Sequence, residues 1–175
     1  MLRAVNAGSG QRPFQSEEGV IQWINVDKQE RWNPDVIADC ANMGMFQSGQ
    51  FDYVVSHHVI EHWGCNDAIP FIREAYRVLK PGGSLLVFVP DLRALAQKWL
   101  MRQMDTETYV INLYGAFMGD DADRHKFGYD GESLHRLLKV NAGVPWKDVH
   151  AFNWRPIPNA DLARDFWVLS QECIK

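Results

Sequence analysis

The sequence has no long apolar run. No stretch approaches the roughly 20 residues that a bilayer-spanning helix needs, and residues 1–7 lack the apolar segment of a secretory signal. Its three cysteines are odd in number, far apart and without paired metal-ligand spacing: Cys40, Cys65 and Cys173. We therefore expect no membrane span, reduced thiols and a cytoplasmic location.

An excess of basic residues is also missing. The formal net charge is −4, and no basic run stands out among the 18 Lys and Arg. Such a chain has no general positive field to attract nucleic acid or an anionic membrane, so we expect neither as a partner. With 46% hydrophobic and 23% charged residues, the 175 residues predict a single domain over 1–175 with a substantial core. The oligomeric state stays open.

Apolar runs bounded by turn signals alternate with helical patterns in the first half of the chain. The pattern predicts strands over residues 2–7, 20–26, 36–38, 51–56 and 84–89. The runs in the last two of these are apolar enough to be buried on both faces, which is typical of parallel sheets. The sequence therefore indicates an α/β fold, in which ligands bind beyond the carboxyl ends of the strands.

A helix is predicted between the fourth and fifth strands. Ile69, Ile72, Tyr76 and Leu79 recur at helical spacing. Asp67 is the expected N-cap, which places Pro70 in the first turn, where its missing N–H costs nothing. The turn 81–83, with one proline and two glycines, is expected to stop the helix.

The pattern changes after Asp91. Residues 92–103 look helical, and Leu134, Leu137 and Leu138 mark another helix that stops at Gly143. Segments 149–154 and 166–174 predict two closing strands around a turn at 156–159. The stretch 105–129, which lies between these two helices, reads as irregular. We expect residues 104–130 to form a cover over the active site.

Glycines and carboxylates follow successive strands near the N-terminus. Gly8-Ser9-Gly10 ends the first strand, and each glycine lets the backbone turn tightly or approach a ligand. Asp27 ends the second strand, where a carboxylate can accept hydrogen bonds from both ribose hydroxyls of a nucleoside. Asp39 ends the third, within reach of an exocyclic amine of adenine. Together these residues predict a nucleoside-containing cofactor.

These segments, in this order, resemble class I S-adenosylmethionine-dependent methyltransferases. The resemblance covers residues 2–91 and rests on five motifs: Asn6 to Gly10, Trp23 to Asp27, Ala38-Asp39, Phe51 to His62, and Arg77 to Gly83. His125 to Gly128 and Leu134 to Gly143 are similar to the end of a small bacterial subgroup. The resemblance implies a Rossmann-like, doubly wound, mostly parallel seven-stranded sheet with an antiparallel last strand.

The resemblance also implies S-adenosylmethionine as cofactor and assigns its contacts. Gly8 and Gly10 would approach the methionine part, and Asn6 could bond its ammonium group. Asp27 would bind the ribose, and Asp39 with Cys40 the adenine. The sulfonium end would be lined by two residues at the end of the fourth strand: Ser56 and His57.

Three departures from the family pattern leave an alternative open. Asn6 stands where an acidic residue is common, Gln11-Arg12-Pro13 replaces a third glycine, and the chain starts at the first strand without an N-terminal helix. The alternative is a catalytically weak cofactor-binding or pseudoenzyme subunit that supports a partner. An NAD-binding interpretation is disfavoured by the same missing glycine.

The histidines allow a rival interpretation. His58, Glu61 and His62 spell H-x-x-E-H, an inverted zinc-protease motif. That chemistry needs both histidines on one continuous helix, whereas a strand ends at Ser56 and Gly64 breaks any helix soon afterwards. We therefore predict no metal ligands, and instead name His58 and His125 as candidate catalytic bases, each against the alternative of a structural role.

The acceptor is constrained mainly by what is absent. The Asn/Asp-Pro-Pro-aromatic segment with which similar enzymes hold a planar amino group does not follow the fourth strand. Ser56-His57-His58-Val59 stands there instead, which counts against methylation of an adenine or amide nitrogen. A hydroxyl acceptor needs a base, for which imidazole is suited. We expect a small-molecule or glycan-type acceptor.

Overall fold

The computed structural model describes residues 1–116, 119–152, 157 and 168–175. Seven strands of the described residues form one sheet: β1 (Leu2–Ala7), β2 (Ile21–Asp27), β3 (Val36–Ile37), β4 (Phe51–His57), β5 (Leu79–Pro90), β6 (Asp148–Ala151) and β7 (Val168–Ile174). Their order is β3-β2-β1-β4-β5-β7-β6, and β7 alone runs antiparallel to its neighbours. The predicted seven-stranded, Rossmann-like sheet with an antiparallel last strand is confirmed.

The central strands are buried on both faces because both alternating sets of side chains are apolar. Val54 and Leu85 face one core, while Val55 and Leu86 face the other, and all four are fully buried. Each such side chain contributes about 1.5–3 kcal/mol by leaving water. This burial fixes the ends of β1, β2 and β4 rigidly at one edge, where the candidate site lies.

Helix α1 (Ile69–Val78) covers the first core, and Pro70 lies in its first turn as predicted. The predicted Asp67 cap is wrong: Ala68 occupies the N-cap position without a side-chain hydrogen bond, and the Asp67 carboxylate lies against Gly64. The helix also ends before the glycine turn, because Leu79 already pairs with Phe51 as the start of β5.

The segment that follows β5 is more regular than the sequence predicts. Helix α2 (Leu92–Leu100) is shorter than expected, and helix α3 (Thr106–Tyr114) lies inside the stretch predicted to be irregular. The Asp105 side chain caps α3, and Gly115, at φ 83°, follows its end. The α3 helix was missed because it has no buried residue, so it shows no clear apolar stripe.

The last helix and the closing strands agree with the prediction where the structure describes them. Helix α4 (Gly131–Arg136) continues into a wider turn, Leu137–Asn141, and Gly143 follows at φ 64°. Strands β6 and β7 cover the described parts of the two closing strands. Residues 153–154, 166–167 and the predicted turn at 156–159, apart from Ile157, lie outside the described residues. No helix in the described part of the chain has the length and apolarity to cross a bilayer.

Candidate active site

A cavity of about 650 Å³ opens beyond the carboxyl ends of β1, β2 and β4. Its lining comes from residues within 6–14 and 27–40, from the end of β4 and the turn after it, and from described residues of the segment 111–126. The volume is in the usual range for small-molecule sites. Nine of the ten predicted site residues line it, namely Asn6, Gly8, Gly10, Asp27, Asp39, Cys40, His57, His58 and His125, while Ser56 does not.

The glycine turn after β1 is shaped by one close approach. At Gly8 a Cβ would lie 2.6 Å from a methyl of buried Val59, and φ is +70°. The amides of Gly8 and Ser9 both donate to the carbonyl of Val26, which fixes the turn against β2. Gly10 also has a positive φ, +47°, but a Cβ there would meet nothing within 4 Å. The turn therefore presents backbone at close range to the cavity.

Asp27 is held in place by two backbone amides. Its Oδ2 accepts from Gly10 N at 2.9 Å and its Oδ1 from Gln29 N at 2.8 Å, with the side chain largely buried. A carboxylate oxygen can accept more than one hydrogen bond, so these contacts orient the group and leave it able to bind a ligand hydroxyl.

The end of β3 supplies an exposed carboxylate and a buried thiol. Asp39 accepts a hydrogen bond from Ala41 N through Oδ1 at 2.8 Å. The neighbouring thiol is buried, and burial is the main cause that raises the pKa of Cys40 to about 12. Cys40 therefore meets the cavity as a neutral thiol rather than a thiolate.

Asn6 belongs to a buried polar network. Its Nδ2 donates to the carbonyl of Arg12 and to Oδ1 of Asn25, both at 3.0 Å. Because both bonds use the amide nitrogen, the amide oxygen is the atom that can accept from a ligand ammonium group. The network explains how Asn replaces the usual acid without leaving a charge buried here.

The two predicted sulfonium-end residues have different surroundings. Ser56 is fully buried inside β4, and its Oγ has no hydrogen-bond partner among the described residues. His57, the last residue of β4, lines the cavity. Burial, assisted by the neighbouring His58 and Arg12 charges, lowers the pKa of His57 to about 3. His57 is thus a neutral imidazole at physiological pH.

His58 stands directly after β4 in a left-handed backbone conformation, at φ 57°. Its Nδ1 lies 3.0 Å from Oε1 of Glu61, which is 1% exposed. Burial opposes ionisation of Glu61, but the hydrogen bond from His58 and the nearby imidazoles outweigh it and lower the pKa of the carboxyl. Because the Glu61 carboxylate accepts this hydrogen bond, Nδ1 of His58 carries the hydrogen. Nε2 of the neutral imidazole then carries the lone pair.

His125 reaches the same corner from the segment that follows α3. Lys126 N and Phe127 N both donate to the carbonyl of Glu61, which seats the segment over the turn after β4. His125 Nδ1 donates to the carbonyl of Asn112 at 3.0 Å, so Nε2 is its remaining nitrogen. Burial lowers the pKa of His125, although Glu61 acts in the opposite direction.

Sequence reasoning missed the grouping of Glu61, His62 and His125. One ligand-type atom from each lies within 4.8 Å of the others. The zinc-protease arrangement is not formed, because His58 follows a strand and Ile60–His62 is a single 3₁₀ turn. His125 is 63 positions after His62, so spacing carried no signal for this group.

Two aromatic side chains and one ion pair of the cavity were also missed. Trp32, after β2, and Trp63, after β4, both line the cavity. Arg31 Nη2 lies 2.9 and 3.1 Å from the two carboxylate oxygens of Asp123, which links the loop after β2 to the segment 111–126. No local pattern predicts a contact between residues so far apart in sequence.

Residues 17–87 match a sequence family described as a methyltransferase domain. Comparison with curated proteins gives no significant match. The matched region contains β2 to most of β5 and hence the acidic strand ends and the histidine turn. Over residues 17–87 the chain is therefore similar to a methyltransferase domain, and this region supplies four of the seven strands of the sheet.

Solved structures share the fold along the whole chain. A S-adenosylmethionine-dependent methyltransferase from Archaeoglobus fulgidus is 17% identical, with a TM-score of 0.65 over 99% of this chain and 86% of that one. The 1,6-didemethyltoxoflavin-N1-methyltransferase of Burkholderia thailandensis, with bound 1,6-didemethyltoxoflavin and S-adenosylhomocysteine, is 16% identical, with a TM-score of 0.56 over 99% and 71%. A Haloferax volcanii methyltransferase in complex with the Trm112 activator is 14% identical, with a TM-score of 0.59 over 99% and 82%.

Proposed function

We propose that this protein transfers a methyl group from S-adenosylmethionine to a hydroxyl of a small-molecule or glycan-type acceptor. The observation that carries the proposal is the cavity at the carboxyl ends of β1, β2 and β4. It gathers the glycine turn, Asp27, Asp39 and two histidines that follow β4. When bound, the cofactor supplies an electrophilic methyl group on a sulfonium.

The cofactor half of the cavity supports this proposal residue by residue. Backbone at Gly8 and Gly10 would lie against the methionine part, with the Asn6 amide oxygen on its ammonium. Asp27, oriented by two amides, would accept from the ribose hydroxyls. Asp39 and the neutral Cys40 thiol would flank the adenine.

The low pKa of His57 also fits a cationic ligand. A protonated imidazole beside the sulfonium would repel it, whereas neutral His57 adds no positive charge at this end. Ser56 is fully buried behind the cavity wall, so we propose a supporting rather than a contacting role for it.

A hydroxyl acceptor has to lose its proton as its oxygen attacks the methyl carbon. We propose His58 as the base, because Glu61 holds its Nδ1–H and thereby fixes the tautomer with a lone pair on Nε2. His125 is the second candidate, with Nε2 likewise opposite a bonded Nδ1–H. Most of the rate would still come from alignment of the two reactants.

The described part of the segment 104–130 supplies the remaining wall. Ile111, Asn112, Ala116 and Ala122 give it uncharged lining beside Asp123, His125 and Lys126, and the amide bonds to Glu61 anchor it. The uncharged part of this wall supports an uncharged acceptor. We propose that this segment covers the acceptor and excludes water from the transfer.

Calorimetric titration with S-adenosylmethionine and S-adenosylhomocysteine tests the cofactor assignment. We expect both to bind, and Asp27→Ala to weaken binding at least about 30-fold, since two charge-assisted hydrogen bonds are lost. Glu18→Ala, an exposed acid outside the cavity, is the matched control and should bind as the wild type does. Absence of binding at millimolar ligand would refute the proposal.

Once a screen of hydroxyl acceptors yields turnover, the base can be assigned. His58→Ala should lower kcat about 100-fold or more while the affinity for S-adenosylhomocysteine stays within a few-fold. His125→Ala measured in parallel compares the two candidates. Wild-type rates in both variants would remove the base assignment.

The alternative is a cofactor-binding subunit that supports a partner. It is favoured by an exposed apolar surface on α2 and α3, which includes Trp99, Leu100, Ile111 and Tyr114. The Haloferax methyltransferase, which has the same fold, forms a complex with an activator. Binding of S-adenosylmethionine without turnover on any acceptor, alone or with added cell extract, would favour this second function.

A further inference from the structure

The corner between the turn after β4 and the segment 120–127 concentrates ligand-type atoms. Glu61, His62 and His125 each bring one atom within 4.8 Å of the others. The His62 and His125 rings are perpendicular, with centroids 4.8 Å apart, and both line the cavity. Glu61 lies beneath them, almost completely buried.

Two polar atoms in this corner are buried without a hydrogen-bond partner among the described residues. They are Oε2 of Glu61 and Nδ1 of His62. A buried polar atom without a partner costs about 1–3 kcal/mol, and more when the group is charged. His58 satisfies only Oε1 of Glu61. A cation beside Oε2 would remove the largest of these costs.

The outer hydrogen bonds have the arrangement found around metal ligands. A ligating histidine usually donates its other N–H to a carbonyl or carboxylate, and a ligating carboxylate is itself hydrogen-bonded. His125 donates Nδ1–H to the carbonyl of Asn112, which leaves Nε2 for a ligand. The hydrogen bond from His58 orients Glu61 in the same way.

We propose that Glu61, His62 and His125 bind a divalent transition metal ion of the Zn²⁺ type at the cavity wall. Two histidines and one glutamate form a donor set that Zn²⁺ accepts, and three protein ligands leave a position open for an oxygen ligand. Ligand atoms of a tetrahedral Zn²⁺ lie about 3.4 Å apart, so the side chains have to close by about 1.4 Å at most.

Binding of the metal would change which histidine in the cavity can act as the base. Ligation through Nε2 of His125 removes that residue from the role of base and leaves His58 as the base. The open position would hold the acceptor oxygen, whose proton a Lewis acid makes easier to remove. The site itself does not depend on the proposed methyl transfer, so each can fail without the other.

The first test is a titration of chelator-treated protein with Zn²⁺ alone, without S-adenosylmethionine. Because exposed Cys65 could bind Zn²⁺ adventitiously, the Cys65→Ser protein is used throughout. We expect saturation at one equivalent, and a Co²⁺ complex with the visible absorption of a low-coordinate nitrogen and oxygen site. Absence of saturable binding of either ion would overturn the proposal.

Variants then locate the site. His125→Ala and Glu61→Gln should each weaken Zn²⁺ binding by about 100-fold or more, because changes outside the ligand set already cost 10–100-fold. His135→Ala, whose side chain is exposed on α4, is the control and should bind as the Cys65→Ser protein does. Circular dichroism checks folding, and half-buried His125 carries the test if the Glu61 variant does not fold. Unchanged affinity in His125→Ala would overturn the assignment.

A separate titration with S-adenosylhomocysteine distinguishes the outcomes. Binding of S-adenosylhomocysteine without binding of Zn²⁺ would refute the metal site and leave the proposed function intact. Binding of Zn²⁺ without binding of S-adenosylhomocysteine would refute the proposed function and leave the metal site intact.

Discussion

The two halves of the cavity are built in different ways. The cofactor half, residues 6–40, consists of backbone turns and carboxylates that lie within 35 positions of one another. The histidine half joins residues 57–63 to the described residues of 111–127, through two amides that bond the carbonyl of Glu61 and through the contact of the His62 and His125 rings. The first half is thus specified locally, strand end by strand end, whereas the second depends on a long-range contact.

The largest effect that separates the halves is expected at Gly8, where they touch. A Cβ in Gly8→Ala would overlap the Val59 methyl groups, and its φ of +70° is strained for alanine. We expect a loss of about 2–5 kcal/mol in the free energy of unfolding, from strain and overpacking together. Denaturant unfolding measures it.

Gly10→Ala is the matched comparison within the same turn. It shares the positive φ, but the space around its Cβ is open, so the expected loss is only about 1–2 kcal/mol. Equal losses in the two variants would mean that the close approach of residue 8 to Val59 does not contribute to the loss in the free energy of unfolding.

This contrast explains what the sequence could predict. The fold and the cofactor half were accessible because apolar runs mark the strands, and because Gly8 and Asp27 stand at strand ends whatever the loops do. The Asp67 cap and the end of α1 were wrong because pairing of Leu79 with Phe51 overrides the local turn signals.

The histidine half was accessible only in part. His58 follows a strand and could be named, and His125 was named from its segment. Their relation to Glu61 and His62 could not be predicted, since no local pattern encodes which loop covers which turn. Ser56 is the converse case: it lies near a strand end, yet its side chain is fully buried, so its predicted place at the sulfonium end stays a prediction.

A smaller effect concerns how the free energy of unfolding depends on pH through His57, which lies where the histidine half meets the cofactor half. The pKa of His57 is about 3 in the folded protein and near 6.5 when unfolded, so the unfolded chain binds a proton that the folded one refuses. Stability from this residue is therefore present above pH 6.5 and is lost as the pH falls towards 3. Between pH 7 and 5 the wild type should lose about 1–2 kcal/mol more than His57→Gln.

Unfolding free energies at the two pH values test this directly. His135→Gln, whose side chain is exposed on α4, should follow the wild type across the same range. Parallel pH profiles for the wild type and His57→Gln would show that burial does not keep this imidazole neutral.

The smallest effect is the direct link between the halves, the ion pair of Arg31 and Asp123. Asp123 is buried and Arg31 is 37% exposed, so a double-mutant cycle with alanine should give a coupling of about 0.5–1 kcal/mol. The pair Arg93–Asp130 has the same 2.9 Å contact, but Arg93 is 72% exposed, and its cycle should give a smaller value. A coupling for Arg31–Asp123 no larger than for Arg93–Asp130 would mean that this ion pair adds nothing to the contact between the two halves.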